Sequence, residues 1–574
     1  MSLHIHHLPG CAPDPLAHYL KGLGIHRLIA TQADPQARGW WKDETFHLAT
    51  TLDPEALRDF FLTTYVPTPL LSPWNKGSGL LRADDPAVSA LENSNASRFN
   101  AFRFGIAASR QLTEQISFAD AVICAIKDRT KTNISFQTEE QRALLRSSHV
   151  FISYIEELRD QLDDPARSAE IESEIAEVSA LVVETDHPPT KSRANQLKQT
   201  NGYRNLLAKA EKVFKSLKAG LIPACRKWRG QHEDWLRTAV VLDEEGAPQW
   251  PSLVGTGGND GKLDFTNNFM QRLIELFDCQ SGKPLDGTSR SLDASLFGTP
   301  FNGMQANAVG QFLPSGVGGP NMGTGFEGKS LVNSWDFVFM MEGTLYFTAS
   351  VVRRAAVPAP PQAAAPFAVR STAIGYGSAA LADESTRGEQ WMPLWQQPAT
   401  YTEISALFSE GRSQLKGQHS GRPLDFARAI ARLGVTRGIT AFQRYGYIER
   451  NGQANLATPI GRWQVSPQPH QDLLDEIASW VDALRRSGSG KNAPVSIGRA
   501  AHNCQDAMMA CCKDATHAQN WRTLLIALGQ AEQQIVRSPV FSKERGLRPI
   551  PPLTGDWLTA VDVGNQTELR LALA

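Results

Sequence analysis

The chain has 574 residues, with 58 Lys+Arg against 59 Asp+Glu, a formal net charge of −1 and a pI of about 6.9, a balance that excludes a simple polycation. Hydrophobic content of 41%, charged content of 20% and a mean hydropathy of −0.29 exclude fibrous and disordered classes and predict a soluble protein of several domains. No apolar run approaches the ~18 residues of a membrane span, and MSLHIHHLPG at the start lacks a signal peptide's basic and apolar regions, so a cytoplasmic protein without membrane association is expected.

His4, His6 and His7 alternate as on an edge strand, and residues 13–31 read as a helix with Leu16, Leu20, Leu23 and Leu28 on its apolar face. Asp53 followed by Pro54 opens a second helix, because Asp caps free N–H groups and Pro suits the first helical position. That helix stops at VPTPLLSPWNKGSG, residues 66–79, a loop long enough to suggest function. Asp84-Asp85 and Asp163-Asp164 are placed as helix-start residues.

Residues 97–235 read as mostly helical, and their charge is sorted. Residues 151–190 hold eleven acidic and two basic side chains, and residues 191–229 hold eleven basic and one acidic. In the basic segment Leu206, Leu207, Ala210, Val213, Phe214 and Leu217 share a face, while Lys209, Lys212, Lys215 and Lys218 occupy the remainder. One reading is a hairpin whose acidic and basic helices neutralise each other. The other is a helix, continued through Arg226, Lys227, Trp228 and Arg229, that follows a nucleic-acid backbone.

From 236 to 355 the chain turns glycine-rich, with GTGGNDGK at 255–262 and SGVGGPNMGTGFEGKS at 315–330 each running into a helix. An Ala/Pro stretch at 355–366 reads as a semi-rigid linker. A mixed α+β region follows, then helices near 470–486, 496–512 and 517–536. Seven scattered cysteines contain no C-x-x-C pair, and Cys504, Cys511 and Cys512, with His502 and His517 nearby, lack zinc-site spacing, so a packed helix is expected there and no metal. The expected class is multidomain α+β, helix-rich, with irregular glycine-rich loops and small mixed sheets. Its expected parts are an N-terminal α+β domain (1–150), a charge-sorted helical hairpin (151–235), a glycine-rich loop core (236–355), a linker (356–366) and a C-terminal mixed α+β and helical region (367–574).

Gly323 to Ser330 matches G-x-x-x-x-G-K-[ST], and Asp243-Glu244 ends a Walker-B-like run. A working P-loop needs a buried strand immediately before it, whereas QFLPSGVGGPNM precedes this one. An ATP-dependent remodelling enzyme using Lys329 and Asp243 is therefore the alternative reading. No other catalytic constellation is present, and no catalytic residue, cofactor or metal is expected. A binding signature remains. Asn259, Lys262, Asn267, Asn268, Gln271 and Arg272 combine amide and guanidinium groups suited to base edges with a helix N-terminus suited to phosphate. Asn75, Lys76 and Ser78, and Asn321, Lys329 and Asn333, repeat that chemistry.

Residues 8–30, 67–79, 257–273, 318–343 and 434–462, among them PTPLLSPWNKGSG, GGNDGKLDFTNNFMQRL and GGPNMGTGFEGKSLVNSWDFVFMMEG, resemble the large subunit of the type I-G (formerly I-U) CRISPR effector complex, Cascade. The resemblance runs in order over nearly the whole chain. It implies a non-enzymatic subunit that reads the protospacer-adjacent motif (PAM) in duplex DNA, promotes strand separation and R-loop formation, and helps recruit a helicase-nuclease. Guide pairing carries most of the sequence information in such systems. The implied partners are crRNA, the target duplex and its displaced strand, the backbone, handle-binding and small subunits, and the helicase-nuclease. The loops at 75–79, 259–272 and 321–333 become candidates for PAM contact and strand separation, and the basic segment Lys191 to Arg229, with Trp228 for base stacking, a candidate strand channel. Family members continue into a helical region similar to the small subunit. This sequence stops at Glu568 to Ala574, so small-subunit function is not carried over to it. A purely scaffolding subunit is the remaining alternative.

Overall fold

The computed structural model describes residues 3–561 apart from 82–84, 133–136, 164–166, 186, 256–258, 261–262, 308–309, 315–329, 353–361, 370–387, 410–413, 416–417, 420–421, 434–437, 451–453 and 491. It is a multidomain α+β protein, 57% helical, with small sheets and no barrel among the described residues. Every described strand pair is antiparallel.

Strand β1 (His4–Leu8) is the edge of a four-stranded sheet whose next members are β3 (Thr45–Thr50), β2 (Arg38–Lys42) and the short Ala399–Thr400. Helix α1 (Leu16–Gln32) begins three residues later than expected, after Asp14-Pro15. Its four leucines are buried, and so are Lys21, His26 and Arg27, because helix α1 is enclosed on all sides. Asp53 accepts hydrogen bonds from the Glu55 and Ala56 amides, as a cap before Pro54 should.

Helix α1 crosses a second enclosed helix, Ser334–Thr344, labelled α7 below, at a notch formed by two glycines. A Cβ on Gly24 would lie 1.9 Å from the Phe339 carbonyl oxygen, and one on Gly343 would lie 1.9 Å from that of Leu20. Two ion pairs close the crossing on either side. Lys21 Nζ meets Asp336 at 2.7 Å, and Arg27 Nη1 meets the fully buried Glu342 at 2.8 Å. Arg27 also pairs with Asp234 at 2.9 Å.

Residues 66–79 are no open loop. From Pro67 to Asn75 they form a buried strap whose polar groups are paired inward: Thr68 donates its amide and hydroxyl to Glu342, and Ser72 accepts the Trp235 indole N–H. Its prolines prevent helix or ladder formation, and the side chains between them fill the core.

Helices α2 (Asn100–Asp128), α3 (His149–Asp160), α4 (Ser168–Ala180) and α5 (Asn201–Cys225) form a bundle with a core of its own, centred on Val122, Ile126, Leu145, Tyr154, Leu158, Val178 and Leu206. The expected hairpin is thus part of a larger bundle that takes in the last third of helix α2. Asp85 caps the helix Pro86–Glu92 as expected, but Asp163 lies in a turn after helix α3 rather than at a helix start, and Asp84 and Asp164 lie outside the described residues.

Helix α6 (Phe265–Leu276) and helix α7 follow. The described end of the Ala/Pro stretch is not linker, since Gln362–Ala364 pairs with Ser350–Val352. A second sheet contains β4 (Glu389–Trp395), β5 (Ile439–Arg450) and β6 (Ala454–Gln464), with Ala368–Val369 beside β4. Tyr19 donates to the Pro393 carbonyl and Trp395 to that of Gly39, joining this sheet to the N-terminal layer. Helices α8 (Gln471–Gly488), α9 (Val495–Lys513) and α10 (Ala518–Arg537) match the three expected helices within two residues, and Cys504, Cys511 and Cys512 are buried between them. Burial pushes the Cys504 and Cys512 thiols up to about 12.

Candidate nucleic-acid interface

Three segments that stand apart in the sequence meet at one rim. Asp264, the N-cap of helix α6, accepts hydrogen bonds from the Thr266 amide at 2.9 Å, the Thr266 hydroxyl at 2.6 Å and the Asn267 amide at 3.2 Å. The 3₁₀ turn Lys76–Ser78 sits directly on this cap, so close that a Cβ on Gly77 would lie 3.2 Å from that of Asp264. Gly79 then turns the chain with φ +79°, where a side chain would also collide with Asp85 and Asn267. Burial raises the Asp264 carboxyl to about 6, against hydrogen bonds from Thr266, Asn267 and Asn75 that favour its charged form.

Lys76 projects from the turn to Asp120 of helix α2, at 2.8 Å. Lys218 of helix α5 comes to the same place; burial and the Lys76 charge lower its pKa, and Asp120 opposes them. From here a mixed-charge seam runs between helices α2 and α5. Exposed Lys215 acts on Glu211, which pairs with Lys127 at 2.9 Å, and Cys124 lies within the fields of Asp120, Lys76, Asp128 and Lys131. Lys127 and Lys131 are functional candidates that the sequence reading misses. Their signal is the helical spacing of Asp120, Cys124 and Lys127 along one face of helix α2, with Lys131 just past its end, which the lysine-rich segment downstream overshadows.

The amides of helix α6 are turned inward. Asn267 donates to Asp85 Oδ2 at 3.1 Å and the Ser78 carbonyl at 3.3 Å, Asn268 to the Asp264 carbonyl at 2.8 Å, and Gln271 to Asn267 at 2.8 Å. Arg272 is buried, 2.9 Å from Glu275. Asn333 caps helix α7 by accepting from the Trp335 amide and donates to the Ser291 carbonyl at 2.7 Å. The amides of Asn267, Asn268, Gln271 and Asn333 are thus engaged within the protein, while the buried Arg272 Nη1 has no hydrogen-bond partner among the described residues. Asn75 is buried, and the Ser78 hydroxyl donates to its carbonyl. Asn259 contributes backbone to the hairpin of Asn259–Asp260 with Leu263–Asp264, while Lys262, Asn321 and Lys329 lie outside the described residues.

The lysines of helix α5 divide. Lys209 turns to the acidic side, 2.5 Å from Glu157 and 5.0 Å from the Tyr154 ring centroid. Lys212 is exposed. The basic segment is two helices, Lys191–Leu197 and helix α5, and α5 ends at Cys225. The Trp228 amide returns to the Cys225 carbonyl, so Arg226, Lys227, Trp228 and Arg229 form a turn. Trp228 packs edge-on to His232, and Arg229 donates to the Arg226 and Trp228 carbonyls.

Asp243 organises a tight hairpin turn, accepting from the Glu245 and Ala247 amides and the Gln249 side chain. Ser330, which would begin a helix in a P-loop, lies instead in the strand Ser330–Val332. Neither the family models nor the curated proteins compared with this chain gave a match.

Proposed function

We propose that this chain is the non-catalytic large subunit of a crRNA-guided type I-G surveillance complex, recognising the PAM, promoting strand separation and R-loop formation, and helping to recruit the helicase-nuclease. Besides the resemblance, the observation that supports it is the meeting of the Lys76–Ser78 turn, the capped N-terminus of helix α6 and Lys218 at one rim of a lysine-bearing seam. Such a rim presents ammonium groups to phosphates, while a rigid turn beside it is suited to wedge between strands. In this reading the other Cascade subunits hold the crRNA guide, and this chain engages the duplex and its displaced strand in the cytoplasm.

The deciding experiment is DNA binding by the assembled complex, with and without this subunit, on targets differing only in the PAM. Discrimination that depends on the subunit and weakens in the Lys76→Glu/Lys218→Glu variant is expected. Discrimination that persists without the subunit rules the role out. A specific observation favours the scaffolding reading as well: Lys209–Glu157 and Lys127–Glu211 join basic to acidic side chains within the bundle. Protection footprints without DNA contact near the PAM would select it.

A further inference from the structure

At the other end of the α2–α5 pair from Lys76, a pocket of about 490 Å³ is lined by Lys127, Thr130, Lys131, Thr132, Lys198 and Tyr203. The Thr130 hydroxyl already donates to the Lys127 carbonyl, and the three lysines with Thr132 and Tyr203 remain as a donor set, which takes an acceptor-rich anion.

Lysines at the end of a helix also have an ordinary explanation. Lys127 lies in the last turn of helix α2 and Lys131 just beyond it, where cations complement the helix dipole, and each has a carboxylate, Glu211 at 2.9 Å and Asp128 at 2.5 Å. The other wall brings a third lysine, one without a carboxylate of its own among the described residues. Lys198 comes from the chain entering helix α5, two residues before Thr200, whose side chain caps that helix by accepting from the Tyr203 amide. Lys198 caps the C-terminus of the short helix Lys191–Leu197, a placement that suits a cation, yet it has no ion pair among the described residues and lies two residues before the positive end of the 25-residue helix α5, which attracts an anion. The two carboxylate pairs are half-exposed on the lysine side, so a bound anion can exchange with them at little cost.

We infer that this pocket binds a phosphoryl group, held by Lys198 and Lys131 with Lys127 at its edge and with hydroxyl donors from Thr132 and Tyr203. Two sources carry that chemistry, the terminal phosphate of a nucleic-acid strand and a free nucleotide or polyphosphate. The pocket lies farther along the same seam than the Lys76–Lys218 rim, and separate variants test the two.

The test is binding of inorganic pyrophosphate to the full chain, followed by ³¹P line broadening, together with fluorescence anisotropy of one oligonucleotide carrying either a 5′-phosphate or a 5′-hydroxyl. Pyrophosphate is expected to bind, and Lys131→Gln/Lys198→Gln to weaken it about tenfold or more, removal of one charge-assisted hydrogen bond being sufficient. Tyr203→Phe, which keeps the ring that packs in the bundle, should weaken it to a smaller extent. Tighter binding of the 5′-phosphorylated strand, abolished by the double variant, assigns the pocket to strand ends. Pyrophosphate binding without that preference assigns it to a soluble phosphate. No pyrophosphate binding, or binding that the double variant leaves unchanged while circular dichroism shows the fold intact, overturns the inference. Lys76→Glu/Lys218→Glu should leave pyrophosphate binding as it is, which separates failure of this site from failure of the duplex-binding reading.

Discussion

Gly24 and Gly343 are where the helix crossing is least forgiving, because each faces a backbone carbonyl of the other helix and neither carbonyl can rotate away. Gly24→Ala should therefore lower unfolding free energy by at least ~2–3 kcal/mol, the upper range for overpacking, measured as a urea midpoint. An unchanged midpoint would mean that the crossing opens freely. Glu342 accepts from Arg27, Tyr65 and both donors of Thr68, so Glu342→Ala leaves a buried guanidinium without its closest carboxylate. A cost of ~3–5 kcal/mol is expected, again by denaturation. Asp264 acts in the opposite sense with pH. Its folded pKa is raised to about 6, above the unfolded value, so between about pH 4 and 6 the native state binds more protons than the unfolded chain, and stability falls as pH rises through that window. Asn at this position keeps a capping oxygen, so Asp264→Asn should remove that slope, and a slope that survives would place the titration elsewhere.

Helix α5 shows how far an amphipathic pattern can be read. The buried set of Leu206 and Ala210 is evident from spacing alone, because helical period is a local property. Which lysines remain available is not, since that depends on where Glu157 of helix α3 arrives, 52 residues earlier in the chain. Reversing Lys215 and Lys218 should weaken duplex binding for all sequences and flatten the logarithmic salt dependence by ~0.9 for each phosphate that is no longer neutralised. Lys209→Glu should leave that slope nearly intact. Equal effects from both would show that the whole circumference of the helix, rather than the seam, meets nucleic acid. The strap at 66–79 looks like an open loop in the sequence for a related reason. Proline and glycine content reports that a segment is irregular and says nothing of whether its amides will find buried acceptors and donors, as Thr68 and Ser72 do.

Across the molecule, the buried apolar side chains of the described residues fall into two cores. One runs from the N-terminal sheet through helices α1, α6 and α7 to helices α8, α9 and α10, and the other belongs to the bundle of α2 to α5, with Phe214 touching both. The bundle should thus open as a unit: in hydrogen exchange under mild denaturant, amides of helices α3 and α4 are expected to lose protection while those of α1 and α7 keep theirs. Uniform protection would show one cooperative body. The sorted charge blocks mark this region in the sequence, but its inner boundary, within helix α2, carries no change in composition and becomes visible only where side chains begin to face a different core. The three C-terminal helices are legible because each is long and strongly periodic. The rim is legible only in pieces, as three segments up to about 190 residues apart, since only packing could join the Lys76–Ser78 turn to Asn267.

That joint has a mechanical meaning. The turn rests on the cap of helix α6, Asn267 grips it from below, and Gly79 allows no side chain to cushion the contact. A load applied at Lys76 is therefore delivered along the axis of a three-turn helix whose far side is anchored by Glu275 to Ser334 at the start of helix α7, and so to the glycine crossing itself. The turn behaves as the tip of a braced strut, and force on the tip is carried into the deepest part of the core.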